Sequence, residues 1–494
     1  MNFNSFLFFP FFFLVVILNY ILPKRYRWLW LLITSYVFYS LSDIRYSLVL
    51  AACTAIAYTA GRLMGQSQDL KTRKRWMLGG VILNLAILFI FKYFNFFFES
   101  LSAALAAAGL QFTFRGIELL YPVGISFYIF QVISYLLDVF NGKAQSEKHF
   151  GHFALYVSFF PQLLIGPIER FNHLQPQLLN PSPFNYNSFI NSLVRIAWGI
   201  FKKIVIADRL AILVNTVFSD PQAFESSKMV LAVLAFSFQI YIDFSAYCDI
   251  AIGTGRILGI DLVENFNRPY LAKSVGDFWR RWHISFSTWL RDYVFIPLNY
   301  RHRRSKPRLL WTSLDVMATF LISGLWHGAS WTFVIWGGLH GLYQVWELLS
   351  KDWRDAWVRR LNIDRSSFAH KTFQVVFTFS LVSFSWLFFR AESVSDAIYM
   401  VKTIFTLDGT TAISAWVFND GSLGLDAMDF LVMSYALLLF LLFEFVNRRI
   451  NLFKALRTQP LWFRWAFYMV LIFSILIFGY YGKFNPEDFV YTRF

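Results

Sequence analysis

Apolar runs long enough to cross a lipid bilayer recur along this chain, and they constrain its fold more than any other feature. A hydrocarbon core takes roughly 20 residues of α-helix, and irregular backbone is not tolerated against lipid. The chain is 57% hydrophobic and 15% charged, whereas a typical soluble domain is about 25% charged. The sequence therefore predicts an all-α polytopic integral membrane protein. The clearest runs are 5–22, 76–98, 117–139, 430–446 and 463–480.

Basic residues cluster in short loops between the apolar runs, as expected for cytoplasmic loops. The clusters at 24–27 and 71–75 follow apolar runs, while the loop at 42–45 is poor in basic residues. With further basic stretches at 351–371 and 448–464 on either side of the acidic stretch at 408–429, this pattern places both termini on the outer side of the membrane. We expect roughly ten to twelve crossings of about 20 residues each. Residues 1–481 would form one integral membrane domain and 482–494 an extracytoplasmic tail.

Other classes of protein and site find little support in the composition. The formal net charge is +15, but its distribution fits membrane topology better than binding to nucleic acid. The two cysteines, Cys53 and Cys248, lie within apolar segments, so the sequence predicts neither a disulfide framework nor a metal site. The short run at 153–164 ends at Gly166 and Pro167. This pattern predicts a re-entrant segment that is buried in protein rather than facing lipid.

Two histidines lie in polar segments that interrupt apolar sequence. Buried ionisable groups are costly in a membrane, so they are candidates for function. His327 stands beside Gly328 between long apolar runs, and His283 follows a run of tryptophan and arginine. A neutral imidazole can take a proton from a hydroxyl group near pH 7. The alternative is that each histidine only packs and donates one hydrogen bond. His340 is interpreted as a packing residue.

Arginines and acids near these histidines leave two interpretations open. Arg280, Arg281 and Arg291 would suit phosphate groups, because guanidinium is a bidentate and permanently charged donor. The positive-inside rule alone would also place arginines in this segment. Asp243 and Asp249 are six residues apart in an apolar run, which is not one helical face, so they need not act together. We expect His149, His152, His173, His302 and His370 to be surface groups.

The sequence resembles the membrane-bound O-acyltransferase family, in particular the bacterial branch that contains the membrane subunit of alginate O-acetylation. The resemblance covers nearly the whole chain. The segments that carry it are YPVGISF at 121–127, LIGPI at 164–168, IDFS at 242–245 with Asp249, FWRRWH at 278–283, WLRDY at 289–293 and SGLWHGASW at 323–331.

The resemblance implies a helical bundle around a transmembrane tunnel. It also implies that His327 is the catalytic histidine and His283 the second motif histidine. The last six residues, FVYTRF at 489–494, resemble an aromatic terminal motif, F-x-Y-x-x-F, of bacterial cell-surface acylation systems. In that motif Tyr491 would carry the acyl group outward, because an aryl ester is a good acyl donor. The alternative is an aromatic anchor at the membrane interface.

The function implied by this resemblance is transfer of an acetyl group from cytoplasmic acetyl-CoA across the membrane, with no metal or prosthetic group. An extracytoplasmic serine hydrolase-like partner would then acetylate a polysaccharide. Alginate is the first expectation; peptidoglycan, cellulose or another exopolysaccharide would need the same chemistry. An alternative acceptor is a lipid or protein hydroxyl group. A different class of function is a transporter or flippase for a lipid-linked sugar, but its usual inverted repeats are not evident.

Overall fold

The computed structural model describes residues 3, 5, 7–110, 112, 114–117, 121–406, 423–448, 450 and 452–481. This part of the chain is helical and contains no β-strand. Its α-helices are α1 Phe8–Ile21, α2 Lys24–Ser40, α3 Ile44–Gln66, α4 Leu70–Leu88, α5 Phe94–Ala107, α6 Ile125–Phe140, α7 Phe150–Ser158, α8 Phe160–Leu163, α9 Phe171–Leu179, α10 Tyr186–Phe201, α11 Asp208–Ser219, α12 Ser226–Ile257, α13 Val275–Trp279, α14 Ile284–Leu290, α15 Ile296–His302, α16 Arg308–His327, α17 Trp331–Leu349, α18 Lys351–Arg360, α19 Phe368–Arg390, α20 Val394–Thr406, α21 Ala427–Val446, α22 Leu452–Arg457 and α23 Leu461–Phe478.

Three π-helical turns interrupt or join these α-helices, and two short 3₁₀ turns lie between others. The π-helical turns are Phe89–Tyr93, Lys202–Ala207 and Arg291–Phe295, and the 3₁₀ turns are Pro221–Ala223 and Pro269–Leu271.

Seven of the described helices are long and apolar enough to cross a membrane: α3, the continuous α4–α5 helix, α12, α16, α19, α21 and α23. This confirms an all-α polytopic membrane protein. Only 6% of the apolar window in α23 is buried inside the protein, whereas 78% of the window in α12 is buried. α23 therefore faces lipid, and α12 is a central helix that packs against α10, α11 and α19.

The expected number of crossings, ten to twelve, is larger than the number of described helices that meet these criteria. Helix α6 shows one reason. The apolar run at 117–139 was predicted as a full span, but α6 begins only at Ile125 and has 16 residues. Nearly all of its side chains are buried in protein. The turn before it contains Gly124 at φ 81°, where a Cβ atom would lie 2.5 Å from the carbonyl oxygen of Leu163.

The segment predicted to be buried and re-entrant forms α7 and α8, and its burial in protein is confirmed. Every residue from Phe153 to Glu169 is buried. The backbone amide of Phe160 donates to the hydroxyl group of Ser35 at 3.1 Å, and the phenol of Tyr156 donates to the carbonyl of Glu169. These hydrogen bonds satisfy polar groups that lipid could not.

The loops at 22–28, 66–75, 140–152 and 257–264 gather at one end of the bundle, here called the basic end. The phenol of Tyr20 donates to the carbonyl of Ile257 at 2.6 Å. Arg73 donates to the carbonyl of Val139 at 3.0 Å, and the ring of Trp28 contacts that of His152 at 4.7 Å between centroids. The structure thus brings together the ends of helices that charge bias assigned to the same side.

Candidate functional site

His327 is the last residue of α16, at the junction with α17. Its side chain is 3% exposed, and its ring contacts Trp336 at 4.9 Å and Phe389 at 5.2 Å between centroids. The next residue has to be glycine, because a Cβ atom at Gly328 would lie 2.1 Å from the ring of Phe333. Gly328 therefore leaves room for the ring of Phe333, a side chain of the protein itself.

His283 precedes α14 and has a left-handed backbone, with φ 43° and ψ 54°. This conformation costs roughly 1–2 kcal/mol for a residue with a side chain. Two hydrogen bonds hold the backbone that follows it: Asn265 accepts the Ile284 amide at its carbonyl and the Ser285 amide at its side-chain oxygen. The fully buried imidazole contacts the ring of Phe244 at 4.8 Å between centroids.

The two histidines come together although they belong to separate segments of the chain. Both contact Phe286, with centroid distances of 5.0 Å from His283 and 5.4 Å from His327. Both also contact Trp326, at 6.0 and 4.7 Å. Aromatic walls of this kind exclude water, which strengthens any electrostatic interaction inside. The two imidazoles with the rings of Phe286 and Trp326 form one apolar cluster of side chains, here called the chamber, which offers two groups for acid and base chemistry.

Lys92 and Tyr93 hold the end of α16, and sequence reasoning missed both. The ammonium group of Lys92 donates to the carbonyl oxygens of Trp326 at 2.6 Å and His327 at 3.1 Å. The phenol of Tyr93 donates to the carbonyl of Leu325 at 2.8 Å. The signal in the sequence was a lysine within an apolar run, which is a functional candidate by default.

The family to which the chain belongs is shown by its sequence, and the match includes the residues of this site. The profile of the membrane-bound O-acyltransferase family matches residues 81–391, a range that includes His283, His327 and Lys92. The chain belongs to this family. It is therefore an acyltransferase, and the helices described above make it a multi-pass integral membrane protein.

Relatives of this acyltransferase are named as enzymes that acylate alginate, peptidoglycan or teichoic acid. The chain is 39% identical to the probable alginate O-acetylase of Azotobacter vinelandii, over 83% of this chain and 78% of the relative. It is 32% identical to the peptidoglycan O-acetyltransferase of Helicobacter pylori, over 80% and 76% of the two chains. It is 25% identical to the teichoic acid D-alanyltransferase of Bacillus subtilis, over 55% and 69%.

The predicted phosphate-binding arginines of the acyltransferase lie next to acids. Arg280 and Arg281 pair with Asp277 at 3.5 and 3.1 Å, and Arg291 pairs with Asp292 at 2.8 Å. Burial raises the pKa of the Asp277 carboxyl, but hydrogen bonds from Arg281 and the Lys273 amide together with the charges of Arg281 and Arg280 outweigh burial, so that pKa lies below its usual value. The side chains of Arg280 and Arg291 are 73% and 60% exposed, which leaves both accessible to a ligand.

A charged cavity of about 490 Å³ lies near the basic end, and the sequence did not predict it. Arg195 joins Asp249 at 2.8 Å and Glu264 at 2.6 Å, and Lys202 joins Asp249 at 2.7 Å. Asn265, which fixes the backbone after His283, also lines it. The lining residues are Asn191, Arg195, Trp198, Lys202, Tyr241, Ser245, Cys248, Asp249, Arg256, Glu264, Asn265, Phe266, Phe443, Glu444, Asn447 and Arg457.

Asp243, in the IDFS segment, and Asp249 pair with two different lysines and do not meet in one site. Asp243 lies 3.0 Å from Lys203, and Asp249 lies 2.7 Å from Lys202. Lys203 also meets Asp208 at 2.8 Å. The expectation that the acids need not act together agrees with this arrangement, in which both support buried ion pairs.

The remaining histidines differ in their surroundings. His340 is buried, and its Nδ1 atom accepts from the indole of Trp279 at 3.2 Å, as expected of a packing residue. His302 was predicted to be a surface group, but its ring lies 2.8 Å from the carboxyl of Asp315, which is 2% exposed. The His302 side chain is still 23% exposed, but α15 packs back against α16, a contact that local sequence does not show.

Tyr491 lies outside the described residues. The chain before it is anchored, because the amide of Tyr480 donates to the carbonyl of Ile204 at 2.8 Å. Ile204 lies in the π-helical turn that also contains Lys203. The segment from which the predicted tail starts therefore contacts the same turn that pairs with α12.

Proposed function

We propose that this acyltransferase moves an acetyl group from cytoplasmic acetyl-CoA across the membrane for O-acetylation of a cell-surface polysaccharide. The observation that carries the proposal is the chamber in which His283 and His327 share Phe286 and Trp326. The family membership supplies the reaction class. The relatives named as polysaccharide and peptidoglycan acetylating enzymes support the class of final acceptor.

In the proposed step, His327 acts as the general base. It takes the proton from an acceptor hydroxyl while the hydroxyl oxygen forms a bond to the thioester carbonyl carbon. The carbon–sulfur bond then breaks, and the protonated imidazole returns its proton to the departing sulfur, so the step releases neutral coenzyme A thiol. His283, beside the same aromatic rings, would orient the acceptor or stabilise the charge that develops on the thioester oxygen.

Tyr491 is the proposed first acceptor at the outer end. It follows Tyr481, the last described residue, by about ten residues, and an extended chain spans at most about 3.6 Å per residue. A reach of about 35 Å is comparable to the thickness of the hydrocarbon core. The hydrogen bond between Tyr480 and Ile204 places the start of this tail near α12. Phe244 of α12 contacts His283. These contacts support the acceptor role over a distant interfacial anchor.

On the donor side, we propose that Arg280, Arg281 and Arg291 bind the phosphates of acetyl-CoA. Two of the three guanidinium groups are mostly exposed, and all three lie in the segments around His283. Guanidinium groups paired with a carboxylate can exchange it for a phosphate, which offers the same bidentate geometry with more charge. The thioester would then extend from this surface toward the chamber.

The final acceptor in this proposal is alginate, by the identity of 39% to a probable alginate O-acetylase. Peptidoglycan, cellulose or another exopolysaccharide would need the same step in the membrane. An extracytoplasmic serine hydrolase-like partner would carry out the last transfer. This scheme requires a protein in the bacterial inner membrane with both termini on the periplasmic side.

Mass spectrometry of the purified protein after incubation with isotopically labelled acetyl-CoA tests the scheme. We expect label on Tyr491 in the wild type and none in His327→Ala. Tyr491→Phe should lose the label, whereas Tyr481→Phe should keep it and serves as the matched control. The side chain of Tyr481 is 54% exposed and lies ten positions before Tyr491 in the sequence.

Each result bears on a different part of the proposal. Label on Tyr491 in His327→Ala would remove His327 from the base role. Release of coenzyme A without label on the tail would replace the carrier by direct transfer to a partner. Retention of label by Tyr491→Phe on another residue would identify a different acceptor.

A further inference from the structure

We infer that Lys92 is a positioning residue that sets the orientation of His327. This inference rests on the proposed function only for the role of His327 as the base. Lys92 lies in the π-helical turn between α4 and α5, far from α16 in sequence. Its ammonium group nevertheless contacts the last two carbonyl oxygens of α16, at Trp326 and His327.

The contacts of Lys92 match what an ammonium group can donate. A lysine carries three N–H donors and no acceptor, and acceptors within hydrogen-bonding distance of Lys92 include the two carbonyls and, at 3.4 Å, the hydroxyl oxygen of Ser126. The last carbonyls of an α-helix lack partners within the helix. A cation at that end is also favoured by the helix dipole. Lys92 thus caps α16 at the residue that carries the imidazole.

The π-helical turn explains why two consecutive residues reach the same helix end. Phe89–Tyr93 adopts this geometry within an otherwise α-helical segment, and such turns occur frequently at functional sites. Tyr93, the residue after Lys92, donates to the carbonyl of Leu325 at 2.8 Å. Three successive carbonyls of α16, at 325, 326 and 327, are therefore held from one turn.

Lys92 acts through His327 rather than on the reacting atoms. Its ammonium group is hydrogen-bonded to backbone carbonyls of α16 and lies 6.0 Å from the centre of the Trp326 ring, so it holds the end of the helix that aims the imidazole into the chamber. A lysine inside a membrane helix is costly compared with an apolar residue. Stability alone would be served by a methionine of similar length, which fills the same space without a charge.

Two variants separate positioning from packing. Lys92→Met keeps the length of the side chain but removes its three donors. We expect kcat for acetyl transfer from labelled acetyl-CoA to fall between about 10- and 100-fold, as for a small misplacement of a catalytic group. KM for acetyl-CoA should change less than about twofold, because the donor surface is untouched. Lys92→Arg should restore part of kcat, since guanidinium can donate to the same carbonyls.

A matched control is Asn84→Leu in the same helix. Asn84 is fully buried, and its amide donates to the carbonyl of Gly80 within α4. This variant also removes a buried polar group from the helix but leaves the end of α16 intact. We expect its kcat, per molecule of folded protein measured by size-exclusion chromatography, to equal that of the wild type.

A double variant gives the decisive readout. If Lys92 acts only through His327, Lys92→Met should not reduce further any release of coenzyme A that remains in His327→Ala, because effects within one unit are non-additive. An additive loss, or a wild-type kcat in Lys92→Met, would overturn the inference. Wild-type activity of His327→Ala alone would instead overturn the proposed function, so the two failures are distinguishable.

Discussion

The guanidinium group of Arg209 donates to the carbonyl oxygen of Phe478 at 2.7 Å, which ties the end of α23 to the start of α11. The same group pairs with the carboxyl of Asp429, at the start of α21, at 2.9 Å. Its charge also lies 5.6 Å from the centre of the Tyr480 ring. One buried cation therefore joins three segments at the point where the C-terminal tail begins.

We expect Arg209→Ala to destabilise the protein by about 2 kcal/mol, because it removes a buried cation and leaves the carbonyl of Phe478 and the partly exposed carboxyl of Asp429 without this partner. Thermal unfolding in detergent, followed by tryptophan fluorescence, measures the change. Arg45→Ala is the control, since Arg45 pairs with Asp43 at 2.7 Å but has a side chain that is 68% exposed. Equal losses of stability in the two variants would contradict the anchoring role of Arg209.

The contact between His173 and Glu169 predicts a stability that depends on pH. A hydrogen bond of 2.6 Å to Glu169 raises the pKa of His173 above its usual value, against the opposing effect of burial. A group whose pKa is raised in the folded state contributes its full stability below the unfolded pKa of about 6.5. That contribution is lost as pH rises through the folded pKa.

We therefore expect the melting temperature of the wild type to fall more between pH 6 and pH 9 than that of His173→Gln. Glutamine keeps a hydrogen-bond donor for Glu169 but does not titrate in this range. Because the imidazole is 45% exposed, solvent screening makes the difference small. Parallel profiles of melting temperature against pH for the two proteins would show that this pair does not make stability depend on pH.

The membrane class could be predicted from sequence, and both histidines could be singled out as candidates, because each depends on a local signal. Long apolar runs require helices in lipid, and a polar residue within such a run is rare enough to mark His327. Lys92 lies in an equally apolar run, but its partners Trp326 and His327 are more than 200 positions away, so only the fold links them. The charged cavity depends in the same way on Arg195 meeting Asp249 and Glu264 across helices.

The prediction of helix boundaries from sequence was limited by a different factor. The run at 117–139 looks like a span because lipid and a protein core select the same apolar residues. Burial of nearly the whole of α6 could not be read from composition, since a helix that is apolar all round suits both environments. The left-handed backbone of His283 was likewise invisible, because the backbone that follows it is held by Asn265 from another segment.

That left-handed backbone predicts how His283 can be replaced. Asparagine tolerates this conformation better than alanine does, because its short polar side chain bonds to the local backbone. We expect His283→Asn to remain as stable as the wild type but to lose most acetyl transfer. His283→Ala should lose activity and also about 1 kcal/mol of stability. Melting temperature and transfer of labelled acetyl groups, measured on the same preparations, separate the two effects.

The backbone effect has its own control at Asn362, which has φ 49° in an exposed turn after α18. Asn362→Ala should lower stability by a similar amount but leave acetyl transfer unchanged. If His283→Asn kept wild-type transfer, the imidazole would have no part in the reaction, and the residue would serve only the turn before α14.

The last prediction concerns the close contact between α16 and α17 that places His327. A Cβ atom at Gly324 would lie 2.3 Å from the carbonyl oxygen of Phe333, and one at Gly337 would lie 2.3 Å from that of Phe320. Backbone atoms cannot give way as a flexible side chain can, so Gly324→Ala must separate the two helices. We expect a loss of about 1–3 kcal/mol from overpacking.

His327 is three residues beyond Gly324, so this separation should also reduce kcat by more than the loss of folded protein explains. Gly79→Ala is the matched control, because a Cβ atom there would meet nothing within 4 Å and alanine favours the helix by about 1 kcal/mol. It should be at least as stable and as active as the wild type. Full activity of folded Gly324→Ala would mean that the orientation of His327 survives a shift of α16, and that the Lys92 contacts, rather than this helix pair, determine it.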